Sequence, residues 1–119
     1  MQKHFKLLLA AGLMSAGMAA PTFASGDGKI SAGQEIAFDR QKGNCLACHA
    51  MPGTKAEMPG NIAPPLVTMK LRYPDKAKLR AQIWDAMQAN PNTSMPPFGK
   101  HQILTEEEID LVTEFIHSL

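Results

Sequence analysis

The chain has 119 residues, with 12 Lys+Arg against 11 Asp+Glu and a formal charge of +1. This balance excludes the basic stripe that nucleic-acid binding needs, and the length allows one small domain. Aromatic residues make up only 6% of the chain, so a domain this small is short of large apolar groups and is expected to need a staple.

Residues 1–24, MQKHFKLLLAAGLMSAGMAAPTFA, open with Lys3 and Lys6 and continue through an uncharged apolar run from Leu7 to Ala20. Thr22-Phe23-Ala24 then supplies the small residues that a signal peptidase reads. The apolar run, about 14 residues, is shorter than the roughly 20 that cross a bilayer. A cleaved secretory signal peptide over 1–24 is therefore expected, in preference to an uncleaved anchor, with the mature domain at 25–119. Cleavage removes two lysines and leaves the acidic residues one ahead.

No later stretch alternates apolar and polar residues long enough for a strand, so the mature chain reads as all-α. Ile30 to Phe38 (ISAGQEIAF) predicts a first helix, with Ser31 and Gln34 in a capping-box pattern. Gly33 inside it costs about 1 kcal/mol relative to Ala, which points to a close helix crossing.

Cys45 and Cys48 follow. Export predicts an oxidising compartment, where two cysteines ordinarily pair. These two, however, stand in C-x-x-C-H, completed by His49, the attachment signature of c-type haem. Two thiols one helical turn apart share a face and can bond the two vinyl groups, while the adjoining imidazole points over the porphyrin centre. A thioredoxin-like pair would follow a buried strand, yet DRQKGN precedes this one. Zinc would need more ligands, and His101 and His117 lie far from finger-type spacing. A local disulfide would close too short a loop to stabilise much. One covalently attached haem c is therefore expected, and it would supply the missing apolar bulk.

From Met51 to Pro74 the chain carries Pro52, Gly53, Pro59, Gly60, Pro64, Pro65 and Pro74, which predicts a long loop wrapped round the cofactor. Asp75 to Ala89 predicts a second helix, with Leu79, Ile83 and Met87 at i+4 spacing and Trp84 beside them; Asn90-Pro91-Asn92 ends it. A second loop, TSMPPFGKH, precedes the terminal helix. There Thr105 and Glu108 form a capping box, Glu106 and Glu107 suit the positive end of the dipole, and Ile109, Val112 and Ile116 form a stripe flanked by Leu111 and Phe115. The first helix, through Gly33, is its natural partner.

The iron needs a second axial ligand. Met51 fails on reach, because two residues extend at most about 7 Å and cannot round the macrocycle edge. Met58, Met69, Met87, Met95, His101 and His117 remain. Met87 and His117 belong to helices, and Met87 on an apolar stripe suits core packing. Met58 and Met69 lie in the long loop, within reach. Met95 lies beyond the second helix, and the two prolines after it stiffen its loop and remove two N–H donors. Met95 is the expected ligand, with His101 second. His49 also needs an acceptor for its other ring N–H, and the Pro64 carbonyl is the candidate, against a simple turn. Trp84 is a candidate hydrogen-bond donor to a haem propionate, or a core residue. No residue is expected to be catalytic.

Gly33 and Phe38 before CLACH, the APPL segment, a loop methionine and an amphipathic terminal helix resemble class I cytochromes c over almost all of residues 30–119. More narrowly, GNCLACHAMPG, NIAPPL followed by Met69 and Arg72, LRAQIWDAMQANPNTSMPPFGKH and ILTEEEIDLVTEF resemble the SoxX family, small monohaem subunits of SoxAX cytochromes. The resemblance implies an all-α class I cytochrome c fold: three to four helices and long Pro/Gly-rich loops round one haem c. It implies a periplasmic electron-transfer subunit in thiosulfate oxidation. Such a subunit accepts electrons from a dihaem or monohaem SoxA-like partner and passes them to another cytochrome. In that family SoxA carries the active site of an L-cysteine S-thiosulfotransferase, which joins thiosulfate to a sulfur-carrier protein's cysteine. This chain has no cysteine beyond Cys45 and Cys48, in keeping with a non-catalytic subunit. A compact form, without the extensions that lengthen some relatives, is expected. The basic residues Lys70, Arg72, Lys76, Lys78 and Arg80 are either a steering surface for anionic thiosulfate or a partner, or a solvated helix face. The alternatives are a free-standing periplasmic electron shuttle and a haem-based sensor with an open iron position.

Overall fold

Helix α4, Glu106–Ser118, starts where its sequence says it should. The Thr105 hydroxyl accepts from the Glu108 N–H at 3.2 Å, and the Glu108 carboxylate accepts from the Thr105 N–H at 3.0 Å. Its apolar stripe is buried at Ile109, Val112, Phe115 and Ile116. The structure, a computed structural model, describes residues 25–119, so the signal-peptide reading of 1–24 lies outside it.

Helix α1, Gly26–Phe38, crosses α4. At the crossing a Cβ on Gly33 would stand 2.1 Å from the Leu111 carbonyl oxygen, so only glycine lets the two backbones approach this closely. Phe38 meets Phe115 edge to face, with ring centroids 5.9 Å apart. The helix begins earlier than its sequence signals suggest. Ser25 is the N-cap, without a side-chain cap bond, and Ser31 and Gln34 lie inside the helix. The first turn closes through Lys29 N–H on the Ser25 carbonyl, so the N–H groups near Ser31 already have helical partners and need no box.

Two short helices complete the fold. The first, α2, is a single turn at Met69–Arg72, inside the segment read from sequence as one continuous loop. It is tied to the end of α4: the Met69 N–H donates to the Leu119 main-chain oxygen at 2.8 Å, and His117 Nε2 lies 3.1 Å from the Tyr73 carbonyl. The second, α3, runs Lys76–Trp84, with Asp75 capping through the Ala77 N–H. It ends five residues before the sequence expectation of Ala89. At Asp85 the backbone leaves the helical region (φ −155°, ψ 88°), and its carboxylate takes the Met87 N–H, starting a separate 3₁₀ turn at Ala86–Gln88. Leu79 and Ile83 remain buried, but Met87 is turned out to 42% exposure and leaves the stripe to which its spacing assigned it.

Four helices and no strand are found among the described residues, which makes the fold all-α. The core joins α1, α3 and α4 to loop residues Met51, Leu66, Phe98 and Leu104. Lys76 pairs with Glu114 at 2.8 Å, and Arg80 pairs with Glu106 and Asp110, so part of the basic run serves α3–α4 docking. Exposed pairs of this kind contribute little each. No helix among the described residues is long and apolar enough to cross a membrane.

Candidate functional site

Between α1 and the long loop, Cys45–Ala47 forms a 3₁₀ turn entered through Asn44 in the left-handed region (φ 45°). The Cys48 and His49 N–H groups both donate to the Cys45 carbonyl, at 3.2 and 2.9 Å, which brings the three side chains onto one tight turn. Both thiols are free and half-buried. Burial pushes the Cys45 thiol up to about 11. That leaves it protonated at neutral pH, unlike the low-pKa nucleophile of a thioredoxin-type motif.

The long loop is stitched back across this turn. Gly60 N–H donates to the Leu46 carbonyl at 2.7 Å, Ala63 N–H to Cys48 at 3.1 Å, and Leu66 N–H to Ala50 at 2.8 Å. Between the last two, the Pro64 carbonyl lies 2.7 Å from His49 Nδ1. A carbonyl can only accept, so Nδ1 carries the proton and Nε2 keeps its lone pair free for a metal. Arg72 adds a further brace by donating to the Pro65 carbonyl at 2.9 Å.

The structure sorts the sulfur and nitrogen candidates by environment. Met51 and Met69 are 2% and 1% exposed, deep in the core, and Arg72 Nη1 reaches the Met69 sulfur at 3.4 Å. Met58 is 91% exposed. Met95 is half-buried at the core's edge, with its N–H on the Thr93 hydroxyl at 3.1 Å. His101 is exposed, and His117 is engaged with Tyr73. Trp84 packs against Gly99, where a Cβ would stand 2.1 Å from the indole, and the Arg80 guanidinium lies 5.5 Å from its ring centroid. The structure thus brings Cys45, Cys48, His49 and Pro64 together, while Trp84 belongs to the wall formed by α3 and the methionine loop.

Among the described residues no three His, Cys, Asp or Glu side chains converge as a metal-ion cluster, so the zinc alternative has no ligand set. What is present suits a covalently attached haem: two free thiols on one turn, an imidazole oriented through Nδ1, and a fringe of half-buried apolar groups at Leu46, Tyr73, Trp84 and Met95. Sequence reasoning missed the core roles of Met51 and Met69. It also missed buried Asp85, whose only signal was a carboxylate three residues before Gln88 in an otherwise helical pattern.

The cytochrome c family model matches residues 30–119, and the chain belongs to the cytochrome c family. Among solved structures, it is similar to the crystal structure of SoxXA from P. pantotrophus. The TM-score is 0.67 at 28% sequence identity, over 74% of this chain and 79% of that one. No curated protein sequence matches it significantly.

Proposed function

We propose that this cytochrome c is a SoxX-type, monohaem electron-transfer subunit that works beside a SoxA-like partner in periplasmic thiosulfate oxidation. Residues 1–24 direct export, and residues 25–119 form the mature domain. The observation that carries the haem assignment is the 2.7 Å contact of His49 Nδ1 with the Pro64 carbonyl, which leaves Nε2 to the iron beside two free thiols. The likeness to SoxXA favours the subunit reading over a free-standing shuttle.

When bound, the haem supplies a one-electron ferric–ferrous couple. The chain's residues do the rest. Cys45 and Cys48 would hold the group covalently, and His49 would offer Nε2 to its iron. Met95 would supply the thioether ligand, which would favour the reduced state and hence electron acceptance. Cys45, Leu46 and Met95 pack against the buried core that contains Met51, Leu66 and Phe98, which would limit water on that side of the group. With no third cysteine, the chain offers no thiol for sulfur chemistry, which falls to the partner.

Coexpression with a SoxA-like chain tests the proposal. The expected result is a stable heterodimer in which thiosulfate reduces this haem only when the partner is present. A holoprotein that stays monomeric beside the partner would leave the free-standing shuttle.

A further inference from the structure

Met95 lies in a segment whose two ends meet. The Trp84 carbonyl accepts from the N–H groups of both Gly99 and Lys100, at 3.1 and 3.3 Å. Beside it the Asp85 carboxylate, 4% exposed, accepts from Lys100 Nζ at 3.1 Å, from the Gln88 amide at 3.0 Å and from the Met87 N–H at 3.2 Å. Residues 85–100 therefore form a loop closed at one point, the compact arrangement of an Ω-loop.

Inside this loop Met95 is held from upstream: Asn90 N–H reaches the Ala86 carbonyl, Thr93 N–H the Asn90 carbonyl, and Met95 N–H the Thr93 hydroxyl. Downstream, Pro96 and Pro97 have no N–H to give. The first main-chain donors after Met95 with partners among the described residues are Gly99 and Lys100, both at the closure. The carbonyls on that side are also held, Pro97 by the His101 N–H at 3.0 Å and Phe98 by the Ile103 and Leu104 N–H groups at 2.9 and 3.1 Å. Of these main-chain contacts, only those of Gly99 and Lys100 reach back to the start of the loop.

We propose that Asp85 and Lys100 are positioning residues for Met95, a latch that closes the methionine loop and holds the thioether on the iron. The inference rests on the reading of Met95 as the axial ligand. The Gln88 amide and then the Lys100 ammonium hold the Asp85 carboxyl below its ordinary range, so the latch is an ion pair at neutral pH. Gln88 and Met87 bind Asp85 from within the 3₁₀ turn; Lys100 alone links it to the far end of the loop.

The test uses the ferric holoprotein and added imidazole, which enters the iron's coordination shell only when Met95 leaves. Lys100→Gln keeps the Asp85 cap and removes only the link. Imidazole entry is expected to accelerate about tenfold, the scale of one charge-assisted hydrogen bond, with a weakened iron–thioether absorption band. Lys100→Arg is expected to restore the parental rate. Lys76→Gln, which breaks a surface pair with the same change of charge, is expected to leave the rate unchanged. Lys100 is half-exposed, so its loss is compatible with folding, and thermal unfolding of each variant separates loop opening from general destabilisation. Entry into Lys100→Gln at the parental rate, or equal acceleration in Lys76→Gln, overturns the latch. Lack of the thioether band in the parent overturns the Met95 reading and the latch together.

Discussion

Gly33 sits against the Leu111 carbonyl so closely that a single added carbon would stand 2.1 Å from the oxygen. The backbone of α4 cannot yield there, because Ile109, Val112 and Phe115 on either side are buried. Gly33→Ala is therefore expected to destabilise the holoprotein by about 1–3 kcal/mol through overpacking. The helix propensity that alanine gains is smaller, about 1 kcal/mol. Chemical denaturation checks it. A variant as stable as the parent would mean that the two helices slide apart at no cost.

The methionines separate packing from ligation. Met51→Ala and Met69→Ala each empty a site that is almost fully enclosed and are expected to cost about 2–5 kcal/mol, leaving the ferric iron–thioether band intact. Met95→Ala is expected to abolish that band and lower the reduction potential. Absorption spectra and potentiometry on the three variants read the contrast. A band that persists in Met95→Ala returns Met58 and Met69 to consideration, whereas a parent without the band points to His101.

Attachment should follow the two thiols separately. Cys45→Ala and Cys48→Ala are each expected to retain haem through one bond, and the double variant to lose all haem that migrates with the chain under denaturing conditions. His49→Ala, which keeps both thiols, is expected to lose iron coordination on that face. Haem staining of denaturing gels, with absorption spectra, distinguishes these outcomes.

Acid should weaken α4 at its first turn. Glu108 is held below its ordinary value of 4.5 first by Lys42 and then by the Thr105 N–H. A depressed folded-state value means that the stabilisation is complete above 4.5 and is lost as pH falls through the folded value. Lys42 is raised above 10.5, first by its hydrogen bond to Glu108. Its share is complete below 10.5 and lost as pH rises through the folded value. Thermal melts from neutral to acid pH should show a smaller acid-side decline in Glu108→Gln, whose amide still accepts from Thr105. Thr105→Ala, which removes the cap, is expected to cost about 1 kcal/mol at any of these pH values.

Local signals were legible in the sequence wherever one residue's chemistry settled the matter. Thr105 and Glu108 marked the start of α4, Gly33 its crossing with α1, and Cys45, Cys48 and His49 the tight turn that carries all three side chains. Spacing misled where a side chain competed with the helix. Leu79, Ile83 and Met87 keep perfect i+4 order, yet Asp85 bonds the Met87 N–H and stops α3. The start of α1 was hidden because Gly26 and Gly28 are poor helix formers, whereas the helix runs on through its own main-chain bonds. The burial of Met51 and Met69 had no local signal. It arises from long-range stitching, such as Leu66 on Ala50 and Met69 on Leu119.

The graded burial of the sulfur atoms also sets an order of oxidative damage. Peroxide should convert Met58 to its sulfoxide first, then Met87, and spare Met51 and Met69 until the fold opens. Exposure alone would place Met95 between these groups, since its side chain is only half-covered by protein. As the proposed iron ligand, however, Met95 would have one of its sulfur lone pairs bound to the metal and its electron density drawn away, so it would react with oxidant more slowly. Peptide mapping after mild peroxide treatment should find Met95 as protected as the core. The exposed Met58 is then the position where the chain absorbs oxidant without touching its redox centre.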